Sequence, residues 1–161
     1  PRGVTDALEG VLRSGENDDE GGVPLAAFAQ AEYQRRLGRL DRGLVLVEEA
    51  IQKYPQSRAV DDLLLERTRL LIDLGRLPEA RAAADTLAAR FPESRLCPRA
   101  LFEVAQRLEG DPLFASAAAG IYLDLLTRFP DSLEAPLARA ALQRTKEKDP
   151  AGSPAPPEGG S

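Results

Sequence analysis

Three short segments divide the chain at regular intervals: Tyr54-Pro55-Gln56-Ser57, Phe91-Pro92-Glu93-Ser94 and Phe129-Pro130-Asp131-Ser132, spaced 37 and then 38 residues apart. A fixed period in this range is the mark of a stacked-repeat architecture, because each unit is a single supersecondary element that cannot bury its apolar face without a neighbour. The spacing of apolar residues inside the period is helical rather than alternating. Ala and Leu dominate, aromatic residues make up only 5% of the 161 residues and Trp is absent, which suits closely packed helices better than sheets. The expected fold class is all-α.

The units align without gaps through their first helices. Pro24, Asp61, Pro98 and Pro136 occupy equivalent places, and proline is tolerated in a first helical turn because its missing N–H would be unpaired there anyway. Four residues ahead of three of these markers stand Ser57, Ser94 and Ser132, each able to accept a hydrogen bond from a first-turn amide. The aromatic-Pro-x-Ser segment therefore reads as a helix stop followed by a helix start. About fourteen residues into units one and two comes a turn, Leu37-Gly38-Arg39-Leu40 and Leu74-Gly75-Arg76-Leu77, where glycine can adopt positive φ without a Cβ clash. Unit three departs from this with Glu109-Gly110-Asp111-Pro112, in which Asp111 can cap and Pro112 can open the second helix. The second helices carry apolar stripes such as Leu44, Val47, Ala50 and Ile51, or Ala118, Ile121, Tyr122 and Leu125.

Outside this array the sequence changes character. Val4, Leu8, Val11 and Leu12 mark a short one-sided helix within residues 1–14. Residues 15–23 form an acidic, glycine-rich stretch with too little apolar surface to fix itself, and a flexible linker is expected. Its acidic residues lack the alternation, central glycine and closing glutamate of a calcium loop. The repeat domain is placed at residues 24–148, its last helix turning polar as a solvating cap. Residues 149–161, rich in Pro, Gly and Ser, read as a disordered tail, in which Pro154 to Pro157 match a PxxP pattern without a flanking arginine. Starting at Pro1, the sequence is equally a processed form, a Met-trimmed product or an excerpt of a longer chain.

Chemistry is constrained by what is missing. The sequence has no histidine and one cysteine, so Ser-His-Asp and Cys-His arrangements, a disulfide within the chain and a four-ligand zinc site are all excluded. Cys97 shares a helical stripe with Leu101, Val104 and Leu108, where a thiol acts as a small hydrophobe. A net charge of −5 without a basic cluster removes the footprint that a phosphate backbone requires, so no nucleic-acid partner is expected. No window approaches 18 consecutive apolar residues, so no membrane span is expected. Neither catalysis, a cofactor nor a metal is expected.

The helix-turn-helix unit, with its turn glycine, the small residue at the start of helix two (Gly43, Ala80, Ala118), the closing aromatic and the following proline, resembles the tetratricopeptide repeat over roughly residues 24 to 145. The resemblance implies a right-handed solenoid of antiparallel helix pairs, about three units plus a capping helix. The longer 37- to 38-residue spacing and the aromatic-Pro-x-Ser ending are similar to repeats of bacterial envelope proteins, notably the outer-membrane assembly lipoprotein and the periplasmic protein that coordinates cell-wall synthesis with constriction. That similarity implies a periplasmic or envelope setting in preference to a cytoplasmic one. In the tetratricopeptide pattern the first helices line a concave groove, and the groove positions map to Phe28, Glu32 and Arg35, then Leu65, Arg69 and Ile72, then Phe102 and Gln106, with Leu25, Asp62, Arg99 and Glu109 beside them. Family members that clamp a terminal carboxylate have lysine where this chain has Phe28, Leu65 and Phe102, so that ligand class is not expected. Those three residues are expected to stack as an exposed apolar ladder among charges. The function implied is a non-catalytic scaffold that binds a peptide or helix of another protein, and the alternative is an oligomerisation or spacer segment of a larger protein.

Overall fold

The computed structural model describes residues 22–148. The expected helix within residues 1–14, nearly all of the linker and the tail at 149–161 lie outside the described residues. Seven α-helices follow one another: α1 (Gly22–Arg36), α2 (Leu40–Lys53), α3 (Val60–Asp73), α4 (Leu77–Arg90), α5 (Leu96–Glu109), α6 (Ala115–Arg128) and α7 (Ala135–Lys148), with a 3-10 turn at Pro112–Phe114. No strand occurs among the described residues. Each helix packs on its neighbours in sequence, and α3 also touches both α1 and α5. One continuous core runs through all seven helices.

Local chemistry explains the boundaries. Gly38 and Gly75 hold φ of 72° and 73°, the left-handed values expected of them. At each the chain closes in the same way: Arg39 N–H donates to Gln34 C=O at 2.9 Å and Arg76 N–H to Leu71 C=O at 2.9 Å, returning the last helical carbonyls to a partner. At the other joints the aromatic carbonyl accepts from the serine amide three residues on, at 3.1 Å for Tyr54–Ser57, 2.8 Å for Phe91–Ser94 and 3.2 Å for Phe129–Ser132. Proline at the second position of such a turn sets its φ in advance. Lys53, Arg90 and Arg128 each lie 5.3–5.4 Å over the aromatic ring that follows them. The three rings are half-buried rather than enclosed.

Several details differ from the sequence expectation. α1 begins at Gly22, two residues before Pro24 and inside the stretch assigned to the linker. Ser94 Oγ accepts from Leu96, the first residue of α5, but Ser57 Oγ accepts from Ala59, one residue ahead of α3, and Ser132 Oγ has no partner among the described residues. The serine hydroxyl thus closes a turn at the helix entrance rather than capping every helix. Asp111 accepts from Leu113 N–H at 2.9 Å, so Asp111 and Pro112 open the 3-10 turn and α6 starts three residues later.

Close packing of the pairs depends on small residues at the start of the second helices. A Cβ placed on Gly43 would lie 2.9 Å from Leu70 Cδ2 and 3.2 Å from the Ala31 carbonyl oxygen, so α2 meets both α1 and α3 at this point. Ala80 and Ala118 stand at the equivalent places in α4 and α6 and are fully buried. The last helix ends the pattern. On the face where α3 carries Leu64, Thr68 and Leu71, all buried, α7 carries Arg139, Gln143 and Lys146, which together with Leu142 and Glu147 line an open hollow of about 510 Å3. No described helix covers that face, and its charge suits it to water.

Candidate functional site

The first helices α1, α3 and α5 lie side by side, and an arginine–glutamate pair bridges each step along them. Arg35 Nε of α1 donates to Glu66 Oε1 of α3 at 2.7 Å, and Arg35 Nη1 reaches Asp73 Oδ2 at 3.3 Å. Arg69 of α3 grips Glu103 of α5 with two bonds, Nε to Oε2 at 2.8 Å and Nη2 to Oε1 at 2.7 Å. Arg144 of α7 donates to Glu109 Oε1 of α5 at 3.2 Å, while the Tyr122 hydroxyl donates to Glu109 Oε2 at 2.8 Å. Bidentate guanidinium–carboxylate geometry fixes orientation as well as energy, so the Arg69–Glu103 pair sets how α3 and α5 sit, while Arg35 and Arg144 each make a single bond to their glutamate.

Between them opens a cleft of about 140 Å3 lined by Arg35, Arg69, Ile72, Asp73, Glu103 and Gln106. Four of the eight groove residues expected from sequence, Arg35, Arg69, Ile72 and Gln106, therefore come together. Glu32 stands outside the lining and pairs with Arg36 at 2.7 Å on the surface of α1. Phe28 and Phe102 are half-buried and pack on the core, and the Phe102 ring lies 5.7 Å from that of Tyr122. Leu65 corrects the expectation of an exposed ladder, because only 4% of it is exposed. Lying on the central helix α3, with α1 on one side and α5 on the other, it is enclosed at a position that leaves phenylalanine half-open on α1 and α5. The apolar ladder is core edge, and apart from Leu25, which is 50% exposed, the open character of this face is polar.

Two residues that sequence reasoning passed over dominate the electrostatics. Glu66 is fully buried, one oxygen held by Arg35 and the other, Oε2, without a hydrogen bond, 4.0 Å from Arg69 Nη1. Burial pushes its carboxyl above the ordinary range, against the pull of Arg35 and Arg69. Burial pushes Glu103 up as well, but the hydrogen bonds and charge of Arg69, joined by Arg99 at 3.3 Å, outweigh it and hold that carboxyl below the ordinary range. Glu66 and Glu103 recur 37 residues apart among apolar neighbours, which is the sequence signal that marks them.

The opposite shifts have opposite consequences for stability. A raised folded-state value favours the protonated form, so the Glu66 contribution is complete below the ordinary carboxylate range and is lost as pH rises through its raised value. The Glu103 contribution is present above the ordinary range and is lost as pH falls through its lowered value. Urea midpoints from about pH 3 to 7 should therefore show Glu66→Gln gaining on the parent as pH rises and Glu103→Gln losing ground. Slopes of the same sign for the two variants would contradict the assignment.

Cys97 is buried with its Sγ 3.1 Å from the Phe91 carbonyl oxygen, and burial pushes its thiol up, away from reactivity. Among the described residues no helix is long and apolar enough to cross a membrane, and no three His, Cys, Asp or Glu side chains gather as metal ligands would. No family model matches the chain, and no curated protein matches it either.

Proposed function

We propose that this chain is a right-handed solenoid of tetratricopeptide-like units that binds a peptide or helix of a partner protein across the face formed by α1, α3 and α5. The observation that carries this reading is the line Arg35–Glu66–Arg69–Glu103, which runs across three consecutive first helices beneath a cleft that Gln106 and Ile72 leave accessible. Charges already paired within the protein are held rigid, and rigid polar groups around a partly apolar floor suit recognition of a polypeptide better than chemistry on a small molecule. Contacts of α3 with both α1 and α5 support the repeat stacking, since these three first helices touch in succession. The setting in a bacterial envelope complex rests on the aromatic-Pro-x-Ser spacing alone.

A photoreactive amino acid placed in the full chain tests the surface in the native cell. At Gln106, on the first-helix face, it should give a discrete protein adduct, whereas at Thr86, exposed on α4, it should give none. Adducts from Thr86 alone would move the binding surface to the second helices.

A further inference from the structure

α1 is bound to the array less firmly than the first helices that follow it. α3 buries eight of its residues and α5 seven, whereas α1 buries Pro24 and Ala31 alone. On the face turned to the second helix of the same unit, α3 carries Leu64, Thr68 and Leu71 and α5 carries Leu101, Ala105 and Leu108, every one of them buried. The residues 37 places before the α3 set are Ala27, Ala31 and Gln34 of α1. An alanine and an amide thus stand where the later helices have leucines, and Gln34 Oε1 is buried with no hydrogen-bond partner among the described residues. Taking an amide oxygen out of water with no donor to meet it opposes docking, and the small side chains return little apolar area. Phe28, half-buried, is the large side chain through which α1 reaches the core.

Charge supplies part of what packing does not. Arg35 makes every side-chain hydrogen bond that runs from α1 to another described helix, to Glu66 Oε1 at 2.7 Å and to Asp73 Oδ2 at 3.3 Å, both on α3. The Arg36–Glu32 pair lies within α1 and ties it to nothing else. Its seat on α2 is shaped but shallow, since Gly43 leaves room for the Ala31 carbonyl oxygen without a side chain to grip it. The link between the two helices is the turn Leu37-Gly38-Arg39, in which Gly38 holds φ of 72° and no atom lies within 4 Å of where its Cβ would stand. Nothing packs over this turn at Gly38 to fix the angle between α1 and α2.

We propose that α1 is a latch, which leaves its docked position as a unit about the Leu37-Gly38-Arg39 turn while α2 to α7 keep their packing. Opening takes Arg35 out of the cleft that it lines with Arg69 and Gln106 and strips Glu66 of its one hydrogen bond, so the cleft is complete only while the latch is closed. An undocked helix of 15 residues is marginal in water, so its amides lose protection on opening. Native-state hydrogen exchange on the full chain therefore tests the proposal. The amides from Phe28 to Arg36 should exchange together, at least about 100-fold faster than the slowest amides of α3. Gln34→Leu, which supplies the leucine of α3 and α5 and removes the orphaned oxygen, should slow them at least about fivefold. Tyr122→Phe, which loosens α6 from Glu109 of α5, should leave them unchanged, because the open state keeps that contact. The proposal is overturned by α1 exchange as slow as that of α3, by rates graded from the Gly22 end as in simple fraying, or by a Gln34→Leu variant that exchanges like the parent. It is equally overturned if Tyr122→Phe speeds the α1 amides as much as those of α5, since α1 would then open only when the whole array unfolds.

Discussion

Tyr122→Ala is expected to destabilise the protein by about 3–5 kcal/mol, the cost of deleting a fully enclosed aromatic ring. Tyr122 is the largest side chain with no exposed surface, its ring lies 5.7 Å from Phe102, and its hydroxyl donates to Glu109 at 2.8 Å. One residue therefore ties α6 to α5 through both packing and a charge-assisted bond. A fall in Tm on the order of 10 °C or more should accompany the loss. Tyr122→Phe separates the two contributions, keeping the ring and removing only the bond, for roughly 1–2 kcal/mol. Burial, followed by the bond to Glu109, pushes the Tyr122 hydroxyl well above its ordinary value, so the parent should show fewer titrating tyrosines by ultraviolet difference than its three tyrosines would give free. A thermal midpoint for Tyr122→Ala within about 2 °C of the parent would place the ring outside the core.

The second large effect lies in the charged line. Arg35→Met should cost about 2–4 kcal/mol at neutral pH, because it leaves Glu66 buried with no direct donor. The value falls short of the full cost of breaking an enclosed pair, since Arg35 keeps 25% of its side chain exposed and Arg69 stands 4.0 Å from the carboxylate. Two further measurements identify the cause. Lowering the pH should rescue the variant more than the parent, because Glu66 already holds its proton more tightly than an ordinary carboxyl and loses a counter-charge when Arg35 is removed. Adding Glu66→Met should also restore stability to within about 1 kcal/mol of the parent, as apolar replacements of a buried pair commonly do. A single substitution whose cost is the same at pH 4 and pH 7 would show that Glu66 is not its source.

The structure separates what local chemistry dictates from what depends on neighbours. Gly38 and Gly75, the aromatic-Pro turns and the charged last helix were legible in sequence because each acts within a few residues of chain. The starts of α1, α3, α5 and α7 were legible to within two residues for the same reason, whereas that of α6 was missed by three because Pro112 opens a 3-10 turn instead. Leu65 was not, because Leu63, Leu64 and Leu65 are consecutive and all three are buried, which period alone cannot anticipate. Being flanked on both sides encloses Leu65, and that is a property of the stack. The candidate site divides along the same line. Arg35, Arg69, Ile72 and Gln106 were found through the repeat register, whereas their partners, the buried Glu66 and the half-buried Glu103, were not singled out.

The central claim is that the first-helix face is the surface a partner occupies, and hydrogen exchange on the protein with and without its native partner tests it most directly. The account predicts slower exchange on binding in peptides covering α1, α3 and α5, centred on Arg35 to Gln106, with α2, α4 and α6 unaffected. Protection confined to the second helices, or to residues 149–161, would contradict it.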